Sequence, residues 1–403
     1  MKLVKAPEIF LPNSTVNLEK WAVIACDQFT SERAYWDKLS QDVENSPSTL
    51  NLIYPEAYLA DFSKEKIAKI HNNMNTYLKD GTLVSQGECL ILVERRFPNY
   101  TRLGLMVAVD LDAYDYRKDN TKALIRPSEA TVIERLPIRA EIKTGASLDL
   151  PHIILLMNDR KYDILNKLYD NRVFYEKIYD FELNQGGGHI AGYKISDKTV
   201  IKKILKELED LNKTTKFLVG DGNHSLAAAK MCWENTRAKL NFWQKRNHPG
   251  RFALVELEDA NDRKMVIEPI HRILFHIDDE FINGLQKICP KGKRVQKLHF
   301  PGNSHGEVHL PENSVEAICA LQNYIDEYMK KHNIVEIDYI HNEKNLIDLV
   351  NSSDKCVGIE FPQIDKNELF SYVGKYGPMP RKSFSIGKAE DKRYYLEAKK
   401  LVK

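Results

Sequence analysis

The chain carries almost no net charge. Its 59 lysines and arginines stand against 57 aspartates and glutamates, a balance of +2 over 403 residues. A protein that grips nucleic acid regardless of sequence needs a basic excess, so no nucleic-acid partner is expected. Cysteine is sparse. Its six residues (Cys26, Cys89, Cys232, Cys289, Cys319 and Cys356) never form C-x-x-C, which argues against a zinc knuckle or a disulfide framework and fits the reduced thiols of a cytoplasmic protein. No uninterrupted apolar run reaches the length of about 18 residues that a membrane helix needs, and "MKLVKAPEIFLPNSTVNLEKWAVIACD" has no signal-peptide core, so no membrane partner is expected. The phosphate loop G-x-x-x-x-G-K-[ST], a dinucleotide fingerprint on a strand–helix turn and the kinase H-R-D and D-F-G set are all missing. So are the zinc motifs H-E-x-x-H and H-x-E…C-x-x-C. The commonest nucleotide and zinc-hydrolase sites are thereby excluded.

What is present is an ordinary globular composition, 43% apolar and 29% charged, in a chain long enough for more than one domain. "WAVIACD" (21–27) predicts a strand that delivers Asp27 to a loop, where it is a candidate substrate contact. In 63–81, Ile67, Ile70, Met74 and Leu78 recur at helical spacing, with Ser63 to cap the start and Gly81 the end. "ECLILVERRF" and "TRLGLMVAVDL" read as a hairpin. "DRKYDILNKLYDN" and "SDKTVIKKILKELEDLN" read as helices, the second capped by Asp197 or Ser196, and between them "NQGGGH" allows a tight turn or a close backbone approach. "GRFALVELED" and "RKMVIEPIHRILF" read as a second pair of strands. Beyond residue 275 come helices, short strands and a polar tail. Helices and hairpin strands are mixed rather than strictly alternating, which predicts an α+β (mixed α/β) fold instead of a doubly wound parallel sheet.

Four stretches concentrate chemistry. In "KFLVGDGNHSLAAAKMCW" (216–233) a strand runs through Asp221, Gly222, Asn223, His224 and Ser225 into a helix. Free N–H groups at a helix start favour anions, phosphate above all. Gly222 lets a ligand approach the backbone, Asn223 and Ser225 can donate hydrogen bonds, and His224 can donate or shuttle a proton. Asp221 suits a bare anion poorly, but it makes sense as a ligand to Mg²⁺ or as a proton acceptor. The same residues also read as a plain turn and N-cap. "LIRPSEATVIERLPIRAEIKTG" (124–145) packs Arg126, Glu129, Arg135 and Arg139 together, either as phosphate-binding forks with a general base or as a solvated charged helix face. In "EPIHRILF" (268–275), His271 and Arg272 interrupt an apolar strand and should point to opposite faces, one toward the site and the other toward solvent; a satisfied structural histidine is the plainer reading of His271 alone. "GPMPRKSFSIGKAEDKRYYLE" (377–397) brings Arg381, Lys382, Ser383, Ser385 and Lys388 near Gly387, either as a flexible basic tail that closes over a phosphorylated ligand or as a solvated hairpin.

"IACDQFTSERAYW", "LIRPSEATVIERLPIR", "FLVGDGNHSLAAA", "IEPIHRIL" and "MPRKSFSIGKAEDKRYYLE" resemble, in order and separation, the bacterial and archaeal domain-of-unknown-function family 1015, across nearly the whole chain. That family's Asp-Gly-His-His-Arg box is similar to the box of ParB and sulfiredoxin-like proteins, a superfamily of nucleotide and phosphate handlers to which free L-serine kinases belong. The resemblance implies a ParB/sulfiredoxin-like core over 121–275, an N-terminal α/β region over 1–120 and a C-terminal α/β region over 276–403 that closes on the site. It implies phosphoryl transfer to the hydroxyl of free L-serine, from pyrophosphate or otherwise ATP or ADP, with Mg²⁺ as cofactor. Asp221, His224 and Glu129 would be catalytic, with Asp221 also the metal ligand. Gly222, Asn223, Ser225, Arg126, Arg135, Arg139, His271, Arg272, Arg381, Lys382 and Ser383 would bind phosphate. The box departs from the family at Asn223 and Ser225, and the lost arginine removes a bidentate phosphate contact that Arg126, Arg135, Arg139, Arg381 or Lys382 would have to replace. A ParB-like nucleotide-binding module or CTPase, and a phosphohydrolase, use the same box and stay open. The sequence leaves the oligomeric state open as well.

Overall fold

The computed structural model describes residues 2–24, 33–120, 122–211, 215–387 and 391–402. The fold is mixed α/β, as the pattern of elements predicts, and the chain forms two compact units that are both discontinuous in sequence. The first takes Met1–Pro127, Thr131–Met265 and Lys388–Lys403; the second takes Ser128–Ala130 and Val266–Gly387.

In the first unit, nine strands among the described residues build one mixed sheet. Along its path run Glu176–Glu182, His189–Ile195, Leu90–Arg96, Thr101–Asp110, Phe252–Asp259, Ile154–Met157, Phe217–Asp221 and Ile125–Pro127, while Val4–Lys5 pairs with Thr101–Asp110 beside that path. Neighbours are antiparallel except for Phe252–Asp259 on Ile154–Met157 and Phe217–Asp221 on Ile125–Pro127. The expected hairpin forms, with Arg96 opposite Thr101 and Ile91 opposite Met106. Because side chains alternate along a strand, the sheet supports a separate core on each face. Leu90, Leu92, Leu105, Val107 and Val255 meet the helices Ile164–Asp170, Lys198–Asp210 and Asn223–Arg237 on one face. Ile91, Val93, Met106 and Leu254 meet Trp21, Ile70, Met74 and Tyr394 on the other.

Two of the expected helices start where short polar side chains satisfy the first N–H groups. Ser63 accepts from Lys66 N–H ahead of Lys64–Lys79, and Asp197 accepts from Thr199 and Val200 ahead of Lys198–Asp210. The apolar stripes then face inward: Ile67, Ile70 and Met74 in the first, Ile201, Ile204 and Leu208 in the second.

The second unit holds a sheet of six strands among the described residues. Ser304–Leu310, Arg294–Phe300, Cys356–Ile359, Ile267–Phe275 and Glu336–His341 lie in that order, and Phe384–Ile386 pairs with the start of Ile267–Phe275; all pairings are antiparallel. Helix Ser314–Lys331 buries Val315, Ile318, Leu321 and Ile325, and helix Glu343–Asn351 packs Leu346 and Val350 with Ile273 and Cys356.

Two expectations need correction. Phe252–Asp259 and Ile267–Phe275 are both strands, but they do not pair with each other. The first lies between two strands of the nine-stranded sheet, so both its ladders are taken, and the second belongs to the other unit's sheet. Nor is the C-terminal stretch a flexible tail or a solvated hairpin among the described residues. Tyr394–Tyr395 pairs with Val23–Ile24, Lys399–Lys400 pairs with Leu148–Asp149, and Tyr394, Leu396 and Ala398 are fully buried.

Charge inside the first unit explains how that polar stretch is held. Arg393, 2 % exposed, lies 2.5 Å from Glu256 and pairs with Glu397, which also accepts from the Tyr179 hydroxyl at 2.6 Å. Arg102 meets Glu258 at 3.0 Å. Burial pushes the Glu258 carboxyl well above the usual carboxylate range, with Arg102 pulling it back. Gly104 makes room for the network, since a Cβ there would stand 1.9 Å from Glu256 Oε1. The guanidinium groups also bind backbone: Arg95 donates to the carbonyls of Gly187 (2.8 Å) and Lys392 (2.6 Å), and Arg102 to that of Asp391 (2.8 Å). The glycine-rich "GGGH" stretch is therefore a dock for the C-terminal strand. Gly187 lies where a Cβ would come within 2.4 Å of the Tyr394 hydroxyl, and that hydroxyl donates to the Asn184 carbonyl at 2.6 Å.

Arg393→Ala leaves Glu256 and Glu397 buried without their counter-charge and should cost about 3–5 kcal/mol. Urea denaturation measures this, and limited proteolysis should show early cleavage in the last dozen or so residues. A loss below about 1 kcal/mol would mean that the network does not hold the C-terminal strand.

Candidate functional site

The strand-to-helix turn at 217–225 is built by three local choices. Phe217, Leu218 and Val219 are fully buried in the sheet, and a register shift between Val219 and Asp221 interrupts the ladder before Asp221 pairs with Ile154. Gly222 sits in the left-handed region at φ +81°, where a Cβ would stand 3.0 Å from the Cα and Cγ1 of Ile153. Helix Asn223–Arg237 then begins with Gly222 as its N-cap and no side-chain cap on its first N–H groups, while Ala227 and Ala228, fully buried, bring it close to the sheet. The turn-and-cap reading of Asp221 and Asn223 does not describe this geometry. The N-cap position is Gly222, not Asn223, and Asp221 Oδ1 accepts from the Gly222 N–H at 2.9 Å.

All five residues from Asp221 to Ser225 are half-buried, so the helix start is open to solvent. The other oxygen of Asp221 faces Lys392 Nζ at 3.6 Å, and Lys392 itself is nearly buried. His224 Nε2 accepts from the Val132 N–H at 3.4 Å, which puts the proton of the neutral ring on Nδ1. Arg126, 1 % exposed, lies on the neighbouring parallel strand opposite Leu218, and burial lowers its pKa. The Lys392 ammonium, the Asp221 carboxylate and the start of a 15-residue helix with a glycine N-cap thus share one half-buried end of the sheet. That arrangement can hold an anion and a cation-bridged polyanion.

Arg135 and Arg139 are not drawn into a phosphate fork. Arg139 is paired with Glu56 (Nε at 3.1 Å) and donates to the Arg135 carbonyl at 2.9 Å, while Arg135 is exposed at the end of a 3-10 turn. This is the charged-face reading of 133–143, with an acid from another segment as the partner. Asp27 and Lys388 lie outside the described residues.

The remaining candidates gather in the second unit. The Glu129 carboxylate accepts from three successive backbone N–H groups, those of Lys382 (3.0 Å), Ser383 (2.9 Å) and Phe384 (3.1 Å). Burial pushes its pKa up while the three amides pull it down. Arg272 is fully buried between the rings of Tyr339 and Phe361 at 4.4 and 4.2 Å. It donates to Gln322 (2.9 Å) and to the carbonyls of Ile270 (2.6 Å) and Lys382 (2.9 Å). Glu129 and Arg272 together grip the 382–384 backbone, where Lys382 adopts φ +57°. Ser383 is buried and donates to the Pro380 carbonyl at 2.6 Å; Arg381 is exposed above Tyr339. His271 accepts from the Phe361 N–H at 3.1 Å, and burial lowers its pKa to about 4, so it is a satisfied neutral histidine. The expectation that one of His271 and Arg272 faces solvent fails: both are buried, Arg272 against Tyr339, Phe361 and Gln322 and His271 against the Phe361 backbone.

The residue that sequence reasoning missed is Lys392. It lies in the quoted "EDKRYYLE" stretch, yet nothing in the sequence separates it from the lysines around it. Only the strand pairing at 394–395 and the grip of Arg95 and Arg102 on the 391–392 carbonyls bring its ammonium to Asp221.

Gly222→Ala forces a left-handed conformation on a residue with a Cβ and presses that Cβ on Ile153. It should lower stability by about 1–2 kcal/mol in chemical denaturation. Wild-type stability would mean that the turn relaxes without the glycine.

No curated protein matches this sequence. Among solved structures, a free serine kinase mutant in complex with AMP is 11% identical, covering 76% of this chain and 98% of its own, at a TM-score of 0.42. A conserved hypothetical protein from Pyrococcus furiosus is 12% identical, covering 72% of this chain and 90% of its own, at 0.36. SbnI with a C-terminal truncation, from Staphylococcus aureus, is 10% identical, covering 70% and 83%, at 0.37. The family model described as "Protein of unknown function (DUF1015)" matches residues 10–399, which span the 217–225 turn, Glu129 and the C-terminal strand with Lys392, and the chain belongs to that family.

Proposed function

We propose that this chain is a small-molecule kinase that moves a phosphoryl group from pyrophosphate, or otherwise from ATP or ADP, to the hydroxyl of free L-serine. The observation that carries the reading is the open start of helix Asn223–Arg237 behind Gly222, with Asp221 and the Lys392 ammonium at its mouth. Serine and pyrophosphate come from the resemblance of the Asp-Gly-Asn-His-Ser box.

In this reading the N–H groups at 223–225 and the hydroxyl of Ser225 bind the phosphate being transferred, and Lys392 offsets its charge. His224, with its Nδ1 proton, donates to a phosphoryl oxygen. The serine hydroxyl attacks phosphorus, the bond from phosphorus to the bridging oxygen breaks, and phosphate leaves when pyrophosphate is the donor, or ADP or AMP when the donor is ATP or ADP. The serine proton passes to Asp221, giving O-phosphoserine. Asp221 is one carboxylate at the cradle, and Mg²⁺ takes one or two carboxylates plus substrate phosphates, so the residues present fit that ion. Asp221 would hold Mg²⁺, which would supply charge neutralisation to the donor. Positioning and neutralisation are most of what phosphoryl transfer requires. Glu129, committed to three amides, holds the 382–384 loop.

Incubation with Mg²⁺, each donor in turn and a panel of hydroxyl acceptors, read by mass spectrometry, tests the proposal. Phosphoserine should form only with serine present. Phosphate release regardless of acceptor would make the protein a phosphohydrolase, and tight nucleotide binding without turnover would make it a binding module. Asp221→Asn should keep the fold and lower kcat by about 10²-fold or more, and Lys392→Met should raise the donor KM about ten-fold. Full turnover in Asp221→Asn with collapse in a folded Glu129→Gln would move the proton acceptor to Glu129.

A further inference from the structure

The second unit carries an imidazole and two carboxylates that phosphoryl transfer does not use. His299, Glu343 and Glu360 each offer one ligand atom, and the three atoms lie within 4.8 Å of one another. They come from three separate elements: the strand Arg294–Phe300, the first residue of helix Glu343–Asn351, and the residue that follows the strand Cys356–Ile359. The sheet fixes two of them, because Leu298 is registered opposite Ile359 and His299 opposite Gly358. The helix brings the third by packing Leu346 and Val350 into the core.

The chemistry of the cluster is that of a cation site. His299 is 3 % exposed, with Nε2 2.7 Å from Glu360 Oε1 and Nδ1 3.1 Å from His305 Nδ1. Two carboxylates converge on one point and the positive charge that answers them is weak: Lys297 Nζ stands 3.7 Å from Glu343 and 4.0 Å from Glu360 on a largely exposed side chain, a solvent-screened contact. His305 orients the His299 ring from behind, as a group hydrogen-bonded to a ligating histidine does. As the ring stands, Nε2–H donates to Glu360 and Nδ1 accepts from His305. Moving the His299 proton to Nδ1, and that of His305 to its other nitrogen, frees the Nε2 lone pair without moving the ring. One imidazole nitrogen with two carboxylates favours a borderline transition ion over Mg²⁺ or Ca²⁺, which prefer oxygen alone.

We propose that His299, Glu343 and Glu360 form a site for one zinc ion, with water in the remaining position, that ties helix Glu343–Asn351 to the strands Arg294–Phe300 and Cys356–Ile359 inside the sheet. Lys297 then swings into solvent and the ion takes its place.

The test uses the full chain, stripped with chelator, dialysed and titrated with Zn²⁺ alone by calorimetry and against a chromophoric chelator. One equivalent should bind with micromolar or tighter affinity, and the ion should raise the thermal midpoint. Glu343→Gln and Glu360→Gln should each weaken binding about ten-fold or more. Lys297→Met, which removes the competing cation, should tighten it a few-fold, an effect that adventitious binding to surface histidines would not show. Glu343 is half exposed at the start of its helix, so its variant should fold. Absence of a stoichiometric ion, or unchanged affinity in both glutamine variants, overturns the proposal.

Discussion

The buried charges around Arg393 are the constraint on which the first unit depends. A C-terminal stretch as polar as "EDKRYYLEAKK" has no reason to enter a core by hydrophobicity. It enters because Glu256 and Glu258 wait on one face of the sheet beside Arg95 and Arg102, and Arg393 and Glu397 complete the set. Three guanidinium groups and three carboxylates then offset one another in a low-dielectric setting, where any one of them alone would be very costly. Arg95 and Arg102 use their remaining N–H groups on the carbonyls of residues 391 and 392, so the same network that neutralises the core also sets the course of the chain beside Asp221.

The second unit solves a similar problem at 380–384. Those residues carry a run of backbone amides and a positive φ at Lys382, and Glu129 supplies the acceptor for three of the amides at once. Arg272 takes a carbonyl of the same loop while stacked between two aromatic rings. In both units an arginine buried among partners shapes backbone. A guanidinium suits that task because its five donors fan out in one plane and stay charged.

Much of the fold was legible in the residues. The Lys64–Lys79 and Lys198–Asp210 helices, their caps at Ser63 and Asp197, and the 90–110 hairpin follow from spacing and capping chemistry, which act within a few residues. The strand–turn–helix at 217–225 was legible for the same reason, since Gly222 between a buried strand and an alanine-rich helix is local. Strand partners were less legible. Phe252–Asp259 and Ile267–Phe275 look like a pair along the chain, yet each finds its ladder elsewhere, because pairing is decided by which edges remain open once other strands have met.

The roles of single charged residues were the least legible. Arg139, Arg272 and Lys392 look alike in sequence, as cations near glycines, prolines or acids. One is paired with Glu56, one is stacked within a sheet, and one stands at Asp221. The mixed fold class, the local helices and hairpin, and the turn at the start of helix Asn223–Arg237 follow from the residues alone, because propensity, capping and left-handed glycine geometry depend on neighbours along the chain. Tertiary structure alone decided which charges are neutralised inside, which strand edges pair and which lysine meets Asp221, because those outcomes rest on contacts between residues up to some 300 positions apart, where burial and not sequence distance sets the energy of a charge.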